Sequence, residues 1–390
     1  MISLSGFVAD RFGPVADAFR ANFDDPGEEA AAVAVLHRGR MVVDLWAGRD
    51  MVNDRPMGED SLMMVASCSK GVTATVLAML AERGALDPDA LVSSYWPEFA
   101  CEGKENATVA MVASHTVGLP YPPLGTGLTG LDLHRGPAVT TALAQARPLW
   151  QPGSAMAYHP VTYGTLLDEI VRRATGRGIG AHVQAEIAAP LGIDLWVGLP
   201  EQHIDRVVPG RWVDDSSTGP DEQAAPPGSY AALRQQFLRE NPPIEPDLAD
   251  AAEVRAYYGA ERPAVGAITN ARALATMYAA TLGSVGGVRL LGPAARAAAT
   301  RPRTDGVQTL IESGTAGPDI RFGLGYQLPS PSMPGFGPDS FGHTGAGGRL
   351  GLADAELELG FGYVCSSMRT IGAGGDPRWA ALITAITRCL

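Results

Sequence analysis

The chain has 390 residues, 46% of them apolar and 18% charged, a balance that supports a sizeable buried core and excludes a disordered segment. The formal net charge of −12, with no basic run, excludes nucleic acid and anionic membranes as partners. No apolar run approaches the roughly 18 residues of a membrane span. The opening MISLSGFVADRFGPVADAF lacks the basic start and apolar segment of a secretion signal, so, read as a natural start, it places the protein in the cytoplasm.

In chain order, Phe12, Val15, Phe19 and Phe23 recur at helical spacing and predict a helix over Asp10–Phe23. AVAVL and MVVDLWAG predict a hairpin over Ala31–Gly48, turning at His37-Arg38-Gly39-Arg40. A helix is expected over Ser67–Glu82, with Gly84 as its stop. The middle of the chain reads as helices between loops. Clear cases are Tyr163–Thr175, ended by Gly176, and Ala181–Ala189, ended by Pro190. The stretch Arg211–Asn241 is rich in Pro, Gly, Ser and Asp and reads as a long surface loop, a candidate pocket lid. Asn270–Gly283 returns to helix. GHTGAGGRLGLADAELELGFGYVCSSM then reads as strand, turn, strand, and Arg378–Cys389 as a last apolar helix. Strands at both ends with helices between predict one sheet domain built from 1–66 and 270–390, and a mostly helical domain over 67–269.

Of the 30 basic residues only Lys70 and Lys104 are lysines. Arginine cannot give up a proton near neutral pH, whereas a desolvated lysine can, which draws attention to Ser67-Cys68-Ser69-Lys70. Ser67 and Lys70, at i and i+3, share a helix face, and a buried amine of lowered pKa can take a serine proton. In the first helical turn, free N–H groups and the dipole favour a nearby oxyanion. The same four residues also describe a helix N-cap followed by a surface lysine. Tyr158, after the Pro152-Gly153 turn, is either a core tyrosine or a phenol that relays a proton, its pKa lowered by a cation such as Lys70. His343-Thr344-Gly345, on a predicted edge strand, reads either as a glycine-rich turn or as a strand edge offering an N–H to an oxyanion.

His115, in SHTVGLP, reads as part of a structural turn. The four cysteines, Cys68, Cys101, Cys365 and Cys389, have no metal-ligand spacing and read as reduced structural thiols. There is no G-x-S-x-G, no H-E-x-x-H and no phosphate loop, so no metal or cofactor is expected.

Taken in order, Ser67-x-x-Lys70, Tyr158 and His343-Thr344-Gly345 resemble the three motifs of the serine β-lactamase-like family, which includes class C β-lactamases, DD-peptidases, carboxylesterases and acyltransferases. WPEFA, SHTVGLP, PLGID, FGLGYQL and FGHTGAGG fit as well, and the resemblance spans about residues 10–390. It implies an α+β fold: an antiparallel sheet flanked by terminal helices, plus an inserted helical domain. It also implies Ser67 as nucleophile, Lys70, Tyr158 and His343 as further catalytic residues, and an oxyanion hole from the N–H groups of Ser67 and Ala346, with Thr344 and Gly345 against the substrate.

Two positions depart from the β-lactam-directed members. Pro160 stands where they carry Asn, and His343 where they carry Lys. These departures favour a less acidic acyl donor and a character closest to the family VIII carboxylesterases and the acyltransferases. The expected activity is hydrolysis of small or medium acyl esters. Acyl transfer in a biosynthetic pathway is the alternative, and β-lactamase or DD-peptidase activity is less favoured. His343 is expected to hydrogen-bond Tyr158 or the substrate carbonyl instead of a carboxylate.

Overall fold

The computed structural model describes residues 2–390 except 26, 214–224, 226–228, 242–245, 311–319, 332, 334 and 371–374. The hairpin Ala30–His37 and Arg40–Asp50 turns on Arg38 and Gly39, whose φ values of 52° and 71° suit the mirror-image turn that matches strand twist. This hairpin seeds an antiparallel nine-stranded sheet. From one edge its strands run Ser5–Val8, Arg40–Asp50, Ala30–His37, Leu359–Cys365, Arg349–Asp354, Ser340–Gly345, Gln327–Leu328 and Arg321–Phe322, with Arg55–Pro56 pairing on Arg40–Asp50. Both ends of the chain thus share one sheet, and the fold is α+β.

The two faces of the sheet differ because strand side chains alternate. Val33, Val35, Phe361 and Tyr363 face the terminal helices Gly13–Ala21 and Pro377–Cys389, packing with Phe19, Trp379 and Leu382. The other face is lined by Ala30, Ala32, Ala34, Gly360 and Gly362. Such small residues let the helix Ala271–Leu282 lie almost on the backbone: a Cβ on Gly362 would sit 3.0 Å from Leu274 Cβ. Asn270 starts that helix by accepting from Ala273 N–H at 2.8 Å.

Beside it runs the helix Cys68–Glu82, buried on every side from Cys68 to Leu80. Its polar members are satisfied internally: Thr73 donates to Pro263 O at 2.9 Å, and Thr75 bonds Tyr326 Oη at 2.8 Å. No helix of the described residues is long and apolar enough to cross a membrane.

Four sequence readings are corrected. The helix placed at Ala181–Ala189 is a helical run from Ile179 to Leu191 that passes through Pro190 and stops at Gly192, where φ is +63°. The bond from Ala189 N–H to Gln184 O widens the coil just before Pro190 and makes room for its ring. The C-terminal glycine-rich segment forms three consecutive strands, because Ala355–Glu358 makes a second turn between Arg349–Asp354 and Leu359–Cys365. The Ser340–Gly345 strand is not an edge strand: Gly342 pairs with Gln327, although that contact is a single residue pair.

Finally, Arg211–Asn241 is not a continuous loop. A helix covers Tyr230–Glu240, capped by Ser229, which accepts from Ala232 N–H at 3.1 Å. Its Phe237 packs on Tyr121 with ring centroids 4.6 Å apart, which holds the helix down. Most of 214–228, on which the lid reading also rests, lies outside the described residues.

Candidate active site

The helix Cys68–Glu82 carries its chemistry at its N-terminus. Val65 N–H donates to Ala267 O at 2.9 Å, and Ser69 Oγ accepts from Ala267 N–H at 2.8 Å. These bonds fasten the chain to the Ala267–Thr269 strand on either side of Ala66, which is held at φ +47°, a conformation that costs an alanine free energy. The turn lifts Ser67 into the N-cap position. Ser67 does not use its hydroxyl to cap the helix. The oxygen instead meets Lys70 Nζ at 3.2 Å and lies beside the Tyr158 phenol. This excludes the N-cap-plus-surface-lysine reading.

Lys70 is fully buried. Apart from its contact with Ser67, Nζ donates to Pro160 O at 2.9 Å and to Ala264 O at 3.0 Å. No carboxylate pairs with it among the described residues, and burial pushes its pKa well below the usual lysine value. Two carbonyls use the two N–H groups of a neutral amine, and its lone pair is left for the Ser67 hydroxyl.

Tyr158 lies in a pinned loop. His115 Nδ1 accepts from His159 N–H at 3.1 Å, and His159 Nε2 accepts from Leu119 N–H at 3.0 Å. His159 Nδ1 then donates to Ala157 O at 2.6 Å. Burial drives the His159 pKa down to about 3, so these imidazoles act as neutral struts. His115 thus holds the backbone of the loop that carries Tyr158.

Lys70 Nζ stands 4.8 Å from the Tyr158 ring centre. The expectation that Lys70 lowers the phenol pKa is not met: burial raises it. Tyr158 is therefore a protonated phenol.

His343 is buried, and its Nδ1 donates to Thr344 O at 2.6 Å. Burial, and then Lys70, press its pKa down to about 3. Nε2 has no hydrogen-bond partner among the described residues. The expected bond to Tyr158 is absent, with ring centroids 6.1 Å apart, and a neutral ring that donates through Nδ1 has no second proton for a substrate carbonyl.

Thr344 and Gly345 take different positions. Thr344 gives both its N–H, at 3.1 Å, and its hydroxyl, at 3.0 Å, to Gln327 Oε1. Gly345 is pressed against the turn that carries Ser67: a Cβ there would sit 3.1 Å from Cys68 Sγ and would overlap Val65 O. The Cys68 thiol, pushed up to about 12 by burial, donates to His343 O at 3.2 Å and ties strand to helix.

Gly348 N–H donates to Gly345 O across a tight turn at 3.2 Å. The peptide is trans and planar, so the Ala346 N–H, antiparallel to that carbonyl, points out of the turn. Neither this N–H nor that of Ser67 has an intramolecular acceptor among the described residues.

Three groups had no sequence signal. The carbonyls of Pro160 and Ala264 are backbone atoms, which any residue supplies. Gln327 lies within FGLGYQL, but nothing in that phrase marks an amide aimed at Thr344. All four cysteines are free thiols. No cluster of three or more His, Cys, Asp or Glu side chains suited to a metal occurs among the described residues.

The beta-lactamase family model matches residues 15–386. The esterase/beta-lactamase LipL of Mycobacterium tuberculosis (strain H37Rv) is 34% identical over 373 residues, covering 92% of this chain and 82% of LipL. A solved family VIII carboxylesterase superposes with a TM-score of 0.83 at 34% identity, covering 100% of both chains. A penicillin-binding protein homologue from Caulobacter crescentus superposes equally well, with a TM-score of 0.83 at 33% identity over 100% of both chains.

Proposed function

The chain belongs to the beta-lactamase family, and from that membership and the geometry around Ser67 we propose a serine hydrolase that works through an acyl-enzyme on small or medium acyl esters. The observation that carries this reading is Lys70: buried, free of carboxylates among the described residues and 3.2 Å from Ser67 Oγ. The names of LipL and of the family VIII neighbour support an ester as the substrate.

In the proposed mechanism an ester carbonyl oxygen lies between the N–H groups of Ser67 and Ala346. Neutral Lys70 takes the Ser67 proton as Oγ attacks the carbonyl carbon. The two N–H groups meet the charge that develops on oxygen. Tyr158 gives its proton to the leaving alkoxide and is reprotonated by the Lys70 ammonium. Water then attacks the acyl-enzyme and gives its proton to Lys70, which passes it to the departing Ser67 Oγ, restoring both the hydroxyl and the neutral amine. Lys70 is given the role of base in this scheme because burial lowers its pKa and raises that of Tyr158.

A neutral His343 offers no charge to a substrate carboxylate, which favours an ester over a β-lactam or a D-alanyl peptide. Hydrolysis of a p-nitrophenyl ester panel by the parent and by Ser67→Ala tests the proposal. Turnover lost in the variant supports it, and equal turnover refutes it. An added alcohol or amine that is acylated would point to the transferase alternative.

A further inference from the structure

Behind the turn that carries Ala346 lies a cation the mechanism has not used. Arg349 is 2% exposed. It forms no ion pair among the described residues. Its Nη1 donates to Ala346 O at 2.8 Å, and its Nε has no partner. Burying a guanidinium without a carboxylate is unfavourable, and isolated buried charges mark positions where the charge serves something else.

The packing around Arg349 is tight. A Cβ on Gly347 would come 2.5 Å from Nη1, and one on Gly210 would come 2.5 Å from Nη2. Gly347 and Gly348 hold φ values of 82° and 102°, so the turn bends around the guanidinium with no side chain between. The neighbouring carbonyls are clamped as well. Arg378 Nη2 donates to Gly347 O at 2.9 Å, and Trp379 Nε1 to Gly348 O at 2.7 Å. Arg378 differs from Arg349 because Glu28 and Asp376 neutralise it. Arg349 makes no direct carboxylate pair among the described residues, although Glu28 lies near enough to act on it, and it brings a second guanidinium to the back of the turn, near Cys68, the residue after the nucleophile.

We propose that Arg349 is a positioning residue for ester hydrolysis: it fixes the Ala346 carbonyl so that the Ala346 N–H faces the reacting carbonyl, and its charge stabilises the oxyanion from behind. This rests on the reading of Ser67 as nucleophile and Ala346 as oxyanion donor. Charge that develops only in the transition state gains more from a fixed cation than the neutral ester does, so the effect falls on kcat more than on KM.

The test compares the full-length parent with Arg349→Gln, Arg349→Lys and Ser67→Ala on p-nitrophenyl butyrate, with a simple alkyl boronic acid as tetrahedral anionic analogue. Arg349→Gln keeps a donor and loses the charge. Its kcat should fall about tenfold to a hundredfold, less than deleting an oxyanion donor outright, with KM within about threefold. Boronic acid affinity should fall in parallel. Arg349→Lys, which keeps the charge, should recover part of both losses, and also serves if the Gln variant folds poorly. Rates are taken per folded molecule.

Parent-like kcat and boronic acid affinity in Arg349→Gln, or a Lys variant no better than the Gln variant, overturns the proposal. If Ser67→Ala keeps its activity, the underlying reading fails instead. If Ser67→Ala is dead and the Arg349 variants are normal, only the inference about Arg349 fails.

Discussion

Lys70 Nζ lies 3.2 Å from Ser67 Oγ and directs its other contacts to two backbone carbonyls, Pro160 O at 2.9 Å and Ala264 O at 3.0 Å. The arrangement fixes the amine without neutralising it by a carboxylate, and burial then favours the uncharged form. An arginine at this position keeps its proton at any working pH. Lys70→Arg is therefore expected to lower kcat/KM for a p-nitrophenyl ester by about 10³-fold or more, within the usual range for a lost general base. Steady-state kinetics, with circular dichroism to verify folding, check this.

The pH profile follows from the same amine. In the proposed mechanism Lys70 acts as a base only when deprotonated, so kcat/KM rises with pH through its pKa and then levels off. Because that pKa lies well below the ordinary lysine value, the plateau is reached below the pH at which an exposed lysine would titrate. His343, whose pKa lies near 3, adds no step between about pH 5 and 8. A profile with a single acid limb, lost in the Lys70→Arg variant, is the expected result.

Buried neutral histidines make the fold sensitive to acid. His159 and His343 sit near 3, against 6.5 when unfolded, and His115 is also pushed well down by burial. Below pH 6.5 the unfolded chain binds protons that the folded one refuses, so stability falls as pH falls. Each such histidine contributes a slope of up to about 1.4 kcal/mol per pH unit. Lys70 acts in the same sense, being neutral when folded and charged when unfolded below its ordinary pKa. Urea melts at pH 7, 6 and 5 should show a steep loss of stability, reduced in His343→Asn.

Tyr158 tests the proton relay. Its phenol lies beside Ser67 and is kept protonated by burial. Tyr158→Phe removes one hydroxyl and leaves the ring against His115, 4.9 Å away between centroids. The expected outcome is a kcat lower by about 10²-fold or more, with a melting temperature close to the parent's. An acylation rate equal to the parent's would remove Tyr158 from the mechanism.

Gln327 is 3% exposed and accepts from both the N–H and the hydroxyl of Thr344. Gln327→Leu leaves two donors without their acceptor beside the site. A stability loss of about 1–3 kcal/mol is expected, together with weaker ester turnover. Chemical denaturation and kinetics on the same preparation measure both.

The candidate site residues differ in how much the sequence shows of them. Ser67 and Lys70 stand out because lysine is almost absent elsewhere and the two share a helix face. The hairpin is legible from its alternation and from Arg38-Gly39, and the helix Ala271–Leu282 from Asn270 at its start. Other features depend on contacts between distant segments. The acceptors of Lys70 are backbone carbonyls, from positions 160 and 264. The helix Tyr230–Glu240 is concealed by the Pro- and Gly-rich residues around it and is held by Phe237 against Tyr121. The titration of Tyr158 depends on burial, which its local sequence does not express: a nearby lysine suggests a lowered pKa, yet the interior raises it.

The most direct test of the account is intact-protein mass spectrometry of an acid-quenched reaction with p-nitrophenyl butyrate, followed by peptide mapping. A butyryl adduct on the peptide containing Ser67, formed during the p-nitrophenol burst and absent from Ser67→Ala, is the predicted result. A burst with the adduct on another residue, or undiminished turnover by Ser67→Ala, would contradict it.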